Sequence, residues 1–130
     1  MRTLRPARSD RGSAAADFAL VSGLLVLAFL AVLQLAVSLH VRNTLVASAA
    51  EGARLAAAAD RGLDDGVRRT RDLVTSSLSA GYATDVRAWY ADSGGLRTVV
   101  VQVRAPLPLV GLLGPADDLT LTGHALVEAP

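Results

Sequence analysis

A chain of 130 residues with no Cys and a formal net charge of +1 has no disulfide framework, no thiolate chemistry and no bulk charge for holding nucleic acid. The charge is unevenly spread: residues 1–12 carry four Arg against one Asp, whereas residues 42–130 carry nine Arg against ten acids, so no basic face remains there. Much of the apolar content sits near the N-terminus, which leaves about 90 residues beyond it, fewer than a confidently stable lone domain usually has.

The first element is an apolar stretch. From Phe18 to Val41 there are 24 residues without a charge, mostly Leu, Val and Ala. As a helix this run covers about 36 Å, enough for a hydrocarbon core of about 30 Å with some tilt. Arg2, Arg5, Arg8 and Arg11 precede it, with Asp10 the single acid among them. The positive-inside bias therefore keeps the N-terminus cytoplasmic and exports everything after Arg42.

Three kinds of leader are compatible with this start. A cleavable secretory signal needs a short apolar core and a small-x-small site; Ala47-Ser48-Ala49 offers such a site, but the apolar core is far too long for it. An uncleaved signal anchor fits the hydropathy. A prepilin-type signal fits a further detail, namely Gly12 at the cytoplasmic edge, small residues after it and Asp17 five positions on. Cleavage would then fall between Gly12 and Ser13 and leave the apolar segment as an anchor.

The helix pattern continues past Arg42. Ala47, Ala49, Ala50, Ala53 and the four alanines 56–59 form a strong helix-forming tract, with Glu51 and Arg54 as an i,i+3 pair and Gly52 as the weak point. One helix is expected from about Ser13 to Ala59. Within its membrane part, Ala31, Gln34 and Ser38 fall at i, i+3 and i+7; small and polar residues on one stripe suit helix–helix contact, and tolerated polar decoration is the alternative. His40, next to the charged Arg42, reads as an interfacial residue rather than a ligand.

Asp60-Arg61-Gly62 breaks the helix. A second one is expected from near Asp64, with acids at its start and Gly81 just past its end. Leu63, Val67, Val74 and Leu78 keep helical spacing, and Arg68, Arg69, Arg71 and Asp72 read as a solvated face. The period then changes to two. Asp85–Tyr90 is expected as a strand with Val86, Ala88 and Tyr90 on one face, Asp92-Ser93-Gly94-Gly95 as a turn, and Arg97–Arg104 as its hairpin partner. Residues 106–115 form an apolar, Pro- and Gly-punctuated loop that either covers the sheet or meets a bilayer or partner. Leu119–Val127 alternates again as a third strand. The fold class is α+β: a long N-terminal transmembrane helix, then a small exported domain with one further helix and a three-stranded antiparallel sheet. The long helix is expected to cover part of that sheet.

No catalytic constellation stands out. His40 and His124 are far apart in the chain, there is no Gly-rich phosphate loop, and the doublets Asp64-Asp65 and Asp117-Asp118 resemble caps or turns more than cation sites. Neither an enzymatic activity, a cofactor, a metal nor a small-molecule substrate is expected.

The segment Arg11-Gly12-Ser13-Ala14-Ala15-Ala16-Asp17-Phe18-Ala19-Leu20-Val21 resembles the start of TadE-like proteins, pseudopilins of tight-adherence (Flp-type) pilus systems. Similar stretches follow at Val41-Arg42-Asn43, Glu51-Gly52-Ala53-Arg54 and Pro106-Leu107-Pro108-Leu109. Two positions depart from the usual pattern, Asp17 for Glu and Phe18 where related pilins often carry Tyr. The resemblance implies three regions: a cytoplasmic leader 1–12, a long helix 13–60 embedded in the membrane to about residue 41, and an exported domain 61–130. It implies a minor structural subunit in pilus or secretion assembly, cleaved at Gly12–Ser13 by a prepilin peptidase. The partners would be the membrane, other pilins or pseudopilins and the assembly platform. The chain would cross the inner or plasma membrane once, with its domain extracytoplasmic or carried into a pilus. Asp17, with Phe18 beside it, either pairs with the terminal amine of a neighbouring subunit or caps its own helix. The rival function is a single-pass anchored extracytoplasmic binding module that never enters a filament.

Overall fold

The computed structural model describes residues 10–106 and 118–127. The basic leader residues Arg2, Arg5 and Arg8, the Arg11 side chain, and the apolar loop from 107 onward lie outside the described residues. The first helix, α1, runs Asp10–Ala57, and a second, α2, runs Leu63–Ser77. A short 3₁₀ turn at Ala80–Tyr82 leads into three strands, β1 (Asp85–Ser93), β2 (Leu96–Pro106) and β3 (Asp118–Leu126), paired antiparallel in the order β1-β2-β3. The α+β expectation is met element by element.

The chain divides into two compact units, with the boundary inside α1 between Leu35 and Ala36. In the first unit the large apolar side chains from Phe18 (75% exposed) to Leu33 (48%) all remain open. A helix that is apolar all round and buries none of it within its own chain has the character of a membrane span. None of its most apolar stretch is buried.

In the second unit α1 changes character. Val41, Leu45, Ala49, Ala53 and Ala57 are buried at spacings of four, beside Ser48, Gly52 and Ala56. That stripe belongs to one core with Val74 of α2 and with Val86, Val99, Val101, Val103 and Leu121 of the sheet. The pairing register explains the composition of the sheet's inner face. It sets Val86, Val103 and Leu121 in one row, Ala88, Val101 and Gly123 in the next, and Tyr90, Val99 and Ala125 in a third. Residues two apart on a strand share a face, so the inner face is aliphatic apart from Gly123 and, at the hairpin end, the half-exposed Tyr90. The opposite face carries Asp85, Arg87, Trp89, Gln102, Arg104, Thr122 and His124, with Arg87 on Asp85 at 2.9 Å.

Local chemistry sets the ends. The first hairpin closes through Gly94 (φ 64°) and Gly95 (φ 84°), a two-residue turn with both φ values positive, a backbone that twists with the strands and that only Gly adopts cheaply. Asp92 Oδ1 accepts the Gly95 N–H at 3.0 Å. At the start of α2, Asp65 Oδ2 accepts the Gly62 N–H at 3.1 Å, and Asp65 also meets the Arg68 guanidinium. The C-terminus of α2 differs from the sequence expectation: the N–H of Leu78 bonds Val74 O at 2.9 Å, and Gly81 lies inside the following 3₁₀ turn rather than in a left-handed cap.

Candidate assembly site

The candidate residues of the N-terminal half are all carried by α1. Because α1 begins at Asp10, the Gly12–Ser13 bond lies in its first turns, with both residues exposed. A protease needs extended backbone, and a terminal turn unwinds more cheaply than any interior one. A Cβ placed on Gly12 would meet nothing within 4 Å, so the chain's own packing does not demand Gly there. Asp17 and Phe18 are exposed. No Asp, Glu, Lys or Arg occurs between Asp17 and Arg42, so this carboxylate stands alone at the edge of the apolar run. Ala31 and Gln34 are exposed and Ser38 is half-buried.

A second set of contacts, on the outer part of α1, is drawn much tighter. A Cβ on Gly52 would lie 2.6 Å from Gly66 O and would run into the Thr70 hydroxyl. A Cβ on Gly66 would lie 2.7 Å from both Gly52 O and the Ala56 Cβ. The backbones of α1 and α2 therefore touch at this crossing. On the other side, a Cβ on Gly123 would fall 2.6 Å from Ala49 O and closer still to the adjoining peptide atoms, so β3 also presses on α1 backbone. Thr70 Oγ1 lies 2.8 Å from Gly66 O and 3.4 Å from Ser48 O. Glu51 meets Arg54 at 3.5 Å, the expected i,i+3 pair, and Arg69 of α2 at 3.9 Å. An open groove of about 420 Å³ runs beside them, lined by Thr44, Ala47 and Glu51 of α1 and by Arg69, Leu73 and Ser77 of α2.

Sequence reading missed Gly66, Thr70 and Gly123. Apolar periodicity marks large side chains, and these positions are buried because they are small or self-satisfied. The residual signal was the spacing of four between Gly66 and Thr70, which matches Ser48, Gly52 and Ala56 on α1. His40 and His124 are both exposed; His40 offers its carbonyl to the Thr44 hydroxyl at 2.9 Å, and His124 Nε2 lies 3.3 Å from Thr122 Oγ1. Among the described residues, no group of three or more His, Cys, Asp or Glu could hold a metal ion.

Residues 12–54 match the family described as TadE-like protein, which bears out the resemblance read at Gly12, Asp17 and Glu51–Arg54. No curated protein and no solved structure matches the chain.

Proposed function

We propose that this TadE-like chain is a pseudopilin-like structural subunit, anchored by the first half of α1 and acting in assembly of a tight-adherence pilus or a related secretion apparatus. The observation that carries the reading is where the family match falls. It begins at Gly12, runs through the charge-free apolar half of α1 and ends at Arg54 in the half that enters the domain core. A prepilin peptidase would cut between Gly12 and Ser13, leaving Asp17 four residues from the new amine. Asp17 and Phe18 would then face neighbouring subunits at the membrane edge, and Ala31, Gln34 and Ser38 would serve helix–helix contact. The role is structural rather than catalytic. Release by ordinary signal peptidase after Ala47-Ser48-Ala49 fits poorly, because it would strip Val41 and Leu45 from the core and would cut where Ser48 and Ala49 are buried.

Co-purification from native membranes tests this function. Asp17→Ala raises the hydrophobicity of the anchor, so insertion and cleavage should persist. Pairing with a neighbour's amine would make its loss cost about 1–3 kcal/mol per contact, enough to reduce association with pilus components sharply. Asp17→Glu keeps the charge and should associate normally. Full association of the Ala variant would leave Asp17 as a helix cap worth about 0.3–1 kcal/mol. An anchored module outside any filament would bring down no pilus component at all.

A further inference from the structure

The Glu51-Gly52-Ala53-Arg54 segment has no part in the proposed role, although the family match includes it. Its side chains have two different fates. Gly52 and Ala53 are buried, whereas the charged pair is largely exposed, Arg54 at 68% and Glu51 at 45%. Gly52 faces Gly66 and Thr70, where neither helix has room for a methyl group. Glu51 sits beside this crossing within reach of Arg69 on the other helix. We propose that Glu51 and Gly52 are an internal clasp that seats α2 on α1, so that this inward side of the segment is not a contact offered to another subunit.

The division of labour follows from exposure. An ion pair as open to water as Glu51–Arg69 contributes little, so the seat depends on Gly52 and Gly66, and Glu51 only biases which faces meet. Both members of each contact come from one chain, so the segment's inward face is occupied before any partner arrives. An assembly contact at this level of α1 would have to use outward positions, such as Asn43, Val46 and Arg54, which are exposed.

The chain contains no cysteine, which makes site-specific cross-linking clean. In native membranes, a full-length Glu51→Cys/Arg69→Cys variant treated with a short bis-maleimide should link 51 to 69 within one chain. Co-expressed single variants, Glu51→Cys in one copy and Arg69→Cys in another, should give no linked dimer. Gly52→Ala in the detergent-extracted full chain should speed amide exchange over residues 66–74 by about tenfold or more, as overpacking against a backbone carbonyl would. A dimer from the single variants, or unchanged exchange in Gly52→Ala, would overturn the proposal. The cross-link stands independently of whether the Ala variant folds.

Discussion

Single positions hold this structure by being small or left-handed. Gly123 lies in the middle row of the sheet, where the strand touches the peptide atoms of Ala49 and Ala50. Backbone on a packed helix cannot step aside as a flexible side chain can. Gly123→Ala should therefore cost about 3 kcal/mol or more, at the upper end of overpacking penalties, and show as a clear fall in the domain's melting temperature. Gly94→Ala has nothing to collide with, and only its φ of 64° stands in the way. Its cost should be about 1 kcal/mol, the left-handed penalty alone. Equal losses for the two variants, measured by thermal unfolding of the full chain in detergent, would mean that the close approach of β3 to α1 is not what constrains Gly123.

At the scale of elements, α1 does two jobs with one continuous pattern. Its outer half is an interior part of the domain: Leu45 has no exposed surface and lies in the same cluster as Val99, Val101 and Val103. Leu45→Ala should cost about 2–5 kcal/mol, a large share of the stability of a unit this size. A fragment starting at Asp60 lacks the whole buried stripe from Val41 to Ala57 and should be marginal in solution, whereas one starting at Ala36 should unfold cooperatively at a distinctly higher temperature. Identical melting of the two fragments would show that the helix contributes nothing to the core. Much of this was legible in the sequence. The change of period at Asp85 marked the sheet, Asp92–Gly95 marked its first turn, and the alanine tract carried α1 past the membrane. What stayed hidden was how the elements meet. Gly66, Thr70 and Gly123 carry no hydrophobic signal, and the role of Gly81 was misread because a glycine after a helix is more often a left-handed cap than part of a 3₁₀ turn. The candidate residues Asp17 and Phe18 were legible in the leader pattern and the resemblance rather than in packing, since both are exposed and no contact among the described residues marks them.

For the molecule as a whole, the contrast between the units carries the functional reading. One half of α1 leaves every large apolar side chain open from Phe18 to Leu33, and the other hides its stripe inside a small α+β domain. With four Arg before the apolar run, the domain should lie outside the cytoplasm. An Arg-specific protease added to intact spheroplasts should therefore cut at exposed Arg61, in the turn between α1 and α2, and should spare the leader. Protection of a C-terminal tag under those conditions would reverse the topology and remove the basis for a pilin-like role. The most direct measurement is the N-terminal sequence of the full chain extracted from native membranes. A prepilin-type subunit should begin at Ser13, with its apolar helix retained. A chain that still begins at Met1, or one that begins near Ala50, would contradict the central claim, the first leaving an anchored module and the second a released domain.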